Sequence, residues 1–333
     1  MTQAVESTAR APRSIAAEPD HGAIAASAAD RSDVPMSRTA VAGLVLALIG
    51  FWFLLHPYGG LIQDSVLYAM GAFARLHPAS LGHDLYLSGG SQDHYTLFSP
   101  LVAQVIRLFG VGSAAALMTV VSQAAFYGAG WTLARRLMPA RLAILAVAFL
   151  VMLPSLFGPK HIFWYTEDIM TPRVPSEALI LAALGCTLGR RYLLATLCFC
   201  GAMLLHPLMG FAGIVMLYML WIGLKRPGLT VALALAGLGA LSLIAWWVPF
   251  GRVARFDPVW FGVLHERLQY VFPSLWSVRD WGRMSVALAT LITGSSMRVP
   301  STARSICRAA LATWIAAITV ALIGSDLLHL VIV

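Results

Sequence analysis

Of the chain's 333 residues, 59% are hydrophobic and only 11% charged, and the mean hydropathy is +0.77. A water-soluble domain keeps about a quarter of its residues charged to cover its surface, so a soluble globular domain is excluded. The net charge of +8 does not point to nucleic acid, because the arginines are dispersed between apolar runs, the pattern that orients membrane helices.

Residues 1–38 are rich in Ala and Ser, mix Glu6, Glu18, Asp20, Asp30 and Asp33 with arginines, and contain no apolar run. They read as a disordered cytoplasmic tail. The first apolar run begins near Ala40 and reads as an uncleaved signal anchor. From residue 39 onward the chain reads as an all-α polytopic integral membrane protein. Its fold class is about nine transmembrane helices with amphipathic interfacial helices in the outer loops. A spanning helix needs about 20 mostly apolar residues, and nine stretches are candidates: 40–57, 113–133, 141–157, 175–189, 191–207, 208–224, 228–248, 283–297 and 309–333. Segment 98–110 is short and carries Gln104 and Arg107, so it reads as interfacial or partly inserted. Cys186, Cys198, Cys200 and Cys307 show no zinc or CxxC spacing. The chain stops in HLVIV without a polar flank, as a piece of a longer protein would.

Orientation follows from the short basic loops. Arg31 and Arg38, the group Arg135, Arg136 and Arg141, the pair Arg190 and Arg191, the pair Lys225 and Arg226, and the group Arg298, Arg304 and Arg308 all fall on one side of a nine-span chain. By the positive-inside rule that side is the cytoplasm, with the N-terminus there, in what is expected to be the cytoplasmic (inner) membrane. The ten acidic residues beyond the tail lie elsewhere, nine in or beside three outer loops and Asp326 toward the outer end of the last span.

The first outer loop, 58–97, opens with YGGLIQDSVLYAMGAFARLHP. Ile62, Val66, Met70, Phe73 and Leu76 recur at helical spacing, which predicts an amphipathic surface helix with Asp64 as its N-cap and Pro78 as its stop. Asp84 reads as a loop or capping residue. The second loop, 158–179, gathers Lys160, His161, Glu167, Asp168, Arg173 and Glu177 among aromatics, with Glu177 expected in the first turn of the fourth span. The third loop, 249–282, carries Arg252, Arg255, Asp257, His265, Glu266, Arg267, Arg279 and Asp280, with aromatics that suggest a surface-lying segment. Three His-Pro pairs, at His56, His77 and His206, mark helix ends. Asp326 and His329 share a face of the last span, where ionisable groups are functional candidates.

Asp64 with Tyr68 on the first loop helix, followed by Asp93-His94 and then Pro100-Leu101, resembles the GT-C superfamily of membrane glycosyltransferases, in particular its protein O-mannosyltransferase branch. The resemblance covers roughly residues 40–135. It departs from the family pattern in a longer spacer between Asp93-His94 and the Pro-Leu step, and in the lack of an acidic neighbour to Asp64. It implies transfer of a sugar from a polyprenyl-phosphate carrier in the bilayer to an acceptor on the outer face.

Such chemistry needs a carboxylate to take the acceptor's proton and cations to meet the charge that develops on the leaving phosphate. By that analogy Asp64 is the base and Asp93 a second carboxylate or metal ligand. Arg173 and Lys160, beside Glu167 and Asp168, form the phosphate-binding group, and the use of a divalent metal ion is left open. The plainer readings are helix capping for Asp64, a turn after Gly-Gly for Asp93, and span anchoring or pairing with Asp168 for Arg173. A transporter or flippase is the alternative function, and a non-catalytic subunit of an envelope polysaccharide assembly is the third. The span centres are poor in polar residues and no internal repeat is visible, which favours outer-face chemistry over transport.

Overall fold

The computed structural model describes residues 37–88, 95–153, 156–161, 163–225 and 256–327. The tail over 1–36, the candidate span 228–248, Arg252 and Arg255, Asp93 and His329 lie outside the described residues.

The architecture is helical. Among the described residues eleven α-helices of ten residues or more carry it: α1 (Arg38–Leu55), α2 (Asp64–Leu76), α3 (Phe98–Phe109), α4 (Val111–Leu137), α5 (Ala140–Met152), α6 (Arg173–Leu188), α7 (Tyr192–Leu205), α8 (Pro207–Lys225), α9 (Pro258–Arg267), α10 (Val278–Ser296) and α11 (Ser301–Val320). The last runs on into a π-helical turn, Ala321–Leu327. Between α5 and α6 a small antiparallel ribbon pairs Leu156–Phe157 with Phe163–Trp164, an element that periodicity did not suggest.

Among the described residues three helices are long and apolar enough to cross a membrane: Arg38–Leu55, Val111–Leu137 and Ser301–Asp326. The other candidate spans within the described residues are helical but shorter or less apolar. In α1 one face, with Leu48, Ile49 and Trp52, is buried in the protein, while Leu46 and Leu54 stand exposed. Large apolar side chains facing outward are what a lipid-embedded helix presents.

Chain direction alternates about two ends. At one end Trp52, near the close of α1, donates from Nε1 to Thr166 Oγ1 at 3.2 Å. Gln123 of α4 reaches the same loop, with Nε2 donating to the Glu167 carbonyl at 2.8 Å. The Leu97 N–H, ahead of α3, donates to the Leu204 carbonyl near the end of α7. At the other end the Arg136 guanidinium of α4 packs on Gly189, in the turn after α6; a Cβ there would lie 3.0 Å from it. Thus α4 and α6 run parallel, both leading from the polar loop to the arginine turn, with α5 returning between them in the chain. A helix rises 1.5 Å per residue, so the 16 residues of α6 separate these ends by about 24 Å.

The break at His206-Pro207 joins α7 and α8 in a tight hairpin. A Cβ on Gly210 would lie 2.8 Å from the Met203 backbone, a close approach that only a small residue permits.

The first-loop helix divides its predicted apolar stripe between two environments. Its buried face is Ser65, Ala69, Gly71 and Ala72, with Tyr68, Phe73 and Leu76 packed toward α3 and the start of α4. Ile62 and Val66 are exposed. Small residues let helices approach one another closely; Phe73 and Leu76 of the stripe pack inward beside them, while Ile62 and Val66 stay outside.

Candidate functional site

The site is assembled where the loop after α1 meets the loop between α5 and α6. After α1 the chain extends through Gly59, whose N–H donates to the Asp168 carbonyl at 3.1 Å, and Gly60 forms a parallel bridge with Ile169. A Cβ on Gly59 would meet Ile169 at 3.0 Å, so a glycine is what lets the two loops lie side by side. Ser65 then fastens the entry to α2, accepting from the Ile62 N–H and donating to the Ile62 carbonyl.

Asp64 is the first residue of α2 and not its cap. Gln63 holds the N-cap position without a side-chain hydrogen bond. The Asp64 carboxylate instead crosses to α6, where Oδ2 accepts from Arg173 Nη1 at 2.9 Å. Arg173 Nε donates to Glu167 Oε1 at 2.6 Å, and the Thr171 hydroxyl donates to the other oxygen of Glu167. One guanidinium therefore joins two carboxylates from different loops. They differ in exposure: the side chain of Asp64 is 47% exposed, that of Glu167 only 4%. Burial pushes the Glu167 carboxyl up, and Arg173 and Thr171 pull it back.

The surrounding groups come from four directions. Tyr68 stands one helical turn beyond Asp64, edge-to-face with Phe98 at 5.4 Å. Burial raises its phenol to about 12, so it stays a neutral hydrogen-bonding group. His206, at the α7–α8 break, is buried and within electrostatic reach of Arg173 and Asp64. Tyr270, in the short turn Gln269–Val271, lies within reach of the same two charges, so the segment between α9 and α10 also borders the site. Beneath it, His56 Nδ1, Gln123 Oε1 and Asp168 Oδ1 are buried without a hydrogen-bond partner.

Several expectations are corrected. Arg173 pairs with Glu167 and Asp64, not with Asp168, because Asp168 is turned toward Gly59 and the end of α1. Glu167 is a buried partner of Arg173 and not a surface group free to meet a phosphate. Lys160 is not part of this ion cluster: it is exposed, in the left-handed region at φ 56°, and its N–H donates to Asp280 Oδ1 at 2.9 Å. Glu177 lies past the first turn of α6, which begins at Arg173. Asp84, by contrast, is the capping residue expected, accepting from the Tyr86 N–H at 2.9 Å. Asp326 accepts from the Ser274 N–H and hydroxyl, tying the end of the last helix to the third loop. Among the described residues no group of three or more His, Cys, Asp or Glu side chains is placed to hold a metal ion.

Asp280 is the structural acid of the third loop. It forms a capping box with Ser277, accepts from Lys160, and pairs with Arg283 at 3.3 Å. The Ser277 hydroxyl above all, with the Lys160 and Ser277 N–H groups and Arg283, holds its carboxyl at about 2 despite burial. A depressed carboxyl contributes stability that is present above its unfolded value and lost as pH falls toward 2. Asp280→Asn is therefore expected to flatten the dependence of the melting temperature on pH between about 4 and 2, measured on purified protein in detergent. An unchanged profile would contradict the assignment.

Sequence reasoning named Asp64 and Arg173 but missed Thr171, Gln123 and His206 as the groups around them. Gln123 offered a signal, since a lone amide in an apolar span is costly unless it bonds inside the protein. Comparison with family models, with curated proteins and with solved structures returned no match.

Proposed function

We propose that the chain is a GT-C-like membrane glycosyltransferase, moving a sugar from a polyprenyl-phosphate carrier to an acceptor on the outer face. The observation that supports this reading is the convergence of Asp64, Arg173 and Glu167 at the end of the molecule opposite the arginine turn, with Asp64 half-exposed.

Each group has a distinct part. Glu167 is buried and holds Arg173 in place. Arg173 spends Nε and Nη1 on the carboxylates, which leaves Nη2 to meet a phosphate oxygen. Asp64 accepts the proton of the acceptor hydroxyl as the new glycosidic bond forms and the bond from sugar to lipid phosphate breaks. The electron pair leaves with the phosphate, where the guanidinium offsets part of the developing charge. Asp93 remains the proposed second carboxylate.

The nine-span threading, with the N-terminus in the cytoplasm, belongs to the same proposal. Helices α5, α6 and α7 have 13, 16 and 14 residues, about 20–24 Å, against a hydrocarbon core of about 30 Å. With their arginine-bearing ends at the cytoplasmic interface, the ion cluster sits below the outer surface, at a depth a polyprenyl chain reaches from the bilayer. Ionisable groups at such depth are kept for function more often than for stability.

The test is reconstitution of the purified chain in vesicles with polyprenyl-phosphate sugars and a panel of hydroxyl acceptors, followed by mass spectrometry. The expected result is free polyprenyl phosphate together with glycosylated acceptor. Donor that changes leaflet without chemical change would replace this reading with a flippase. Donor and acceptor both untouched would favour a non-catalytic subunit.

A further inference from the structure

We infer that the arginine turn is a docking site for the phosphate headgroup of an anionic lipid. Arg136 lies flat against Gly189, its guanidinium atoms 3.0–3.3 Å from where a Cβ would stand. That contact sets the α4–α5 turn, flanked by Arg136 and Arg141, beside the α6–α7 turn, which carries Arg190 and Arg191. All four side chains are exposed. Among the described residues no carboxylate pairs with Arg136, Arg190 or Arg191.

The turn is fixed and not a loose loop. The Arg190 N–H donates to the Thr187 carbonyl at 3.0 Å and the Arg191 N–H to the Cys186 carbonyl at 2.8 Å. Arg190 itself has φ 57°, a conformation that favours glycine. Arginines on adjoining turns without a counter-charge repel one another, and an anion bound there offsets that repulsion. Guanidinium groups match phosphate oxygens in pairs.

The occupant is a lipid and not a soluble phosphate because the patch continues into an apolar wall. Tyr192 (62% exposed), Leu193 (76%) and Leu197 (59%) follow Arg191 on α7, and Leu142, Leu145 and Phe149 follow Arg141 on α5, all exposed. A charged head on the guanidiniums leaves acyl chains along these side chains. The inference is independent of the glycosyltransferase reading, since it concerns the opposite end of α6.

The test measures binding of phosphatidylglycerol and phosphatidylcholine to the purified full chain in neutral detergent by native mass spectrometry, with inorganic phosphate as competitor. Phosphatidylglycerol is expected to be retained selectively. The triple variant Arg136→Gln, Arg190→Gly, Arg191→Gln should weaken it by roughly a hundredfold, each basic side chain near a surface contributing about fivefold. Arg190→Gly alone relieves the backbone while removing one guanidinium, so it should keep or raise the melting temperature and still bind about fivefold less. Equal retention of the two lipids, wild-type binding by Arg190→Gly, or displacement by equimolar inorganic phosphate would each overturn the proposal.

Discussion

Replacing Arg173 with methionine is expected to destabilise the folded protein by about 3–5 kcal/mol, because it leaves a buried carboxylate without its counter-ion. The carboxylate in question is Glu167, 4% exposed, which would keep only the Thr171 hydroxyl. An unpaired buried acid relieves its cost by taking up a proton. The deficit should therefore be larger at pH 8 than at pH 5. Glu167→Gln in the same chain removes the orphaned charge and should restore much of the loss, a non-additivity that a double-mutant cycle measures directly. Melting of the four proteins in detergent at the two pH values decides the matter. A small loss, equal at both pH values, would mean that Glu167 and Arg173 do not depend on each other.

The second large effect is on activity and comes from the other carboxylate. Asp64→Asn removes the proposed base while keeping the shape of the side chain. Positioned acid–base groups contribute about 10²–10⁴-fold, so sugar transfer should fall by that factor. Stability should change by no more than about 1 kcal/mol, because the Asp64 half of the cluster is nearly half exposed and water screens it. The two variants thus separate the roles of one ion cluster: Arg173 is needed first to hold the loops, Asp64 first to react. Normal transfer by Asp64→Asn at a normal protein level would remove Asp64 from the chemistry.

Much of the helical layout was legible in the residues, because apolar runs and breakers act locally. His206-Pro207 separates α7 from α8 as the order of residues implies, and segment 98–110 is a short helix, as its Gln104 and Arg107 foretold. The orientation of α2 was not legible. The rule that bulky apolar residues face the core holds in water, where burial is the driving force, but lipid is as apolar as Leu and association depends on close packing of small residues. Ala69 and Ala72 consequently face the protein beside Phe73 and Leu76, while Ile62 and Val66 face outward, which splits the stripe.

The candidate site was legible as a set of residues but not as a set of bonds. Asp64 and Arg173 stand 109 residues apart, and nothing local says which of three nearby acids the guanidinium takes. Glu167 wins over Asp168 because Thr171, one turn on, braces its second oxygen, while Asp168 is drawn aside by the backbone pairing of Gly59 and Gly60 with residues 168 and 169. Lys160 drew attention by its charge, yet the structure uses its N–H to dock Asp280, a contact between loops that spacing cannot reveal.

Cysteine accessibility tests the central claim most directly. In a chain whose four native cysteines are changed to serine, single cysteines are placed at Ser80, beyond the Asp64 helix, and at Arg191, in the arginine turn. Intact cells are then treated with a membrane-impermeant thiol reagent. The account predicts that position 80 reacts in intact cells and position 191 only after the membrane is opened. Labelling of both positions, or of 191 alone, in intact cells would contradict it.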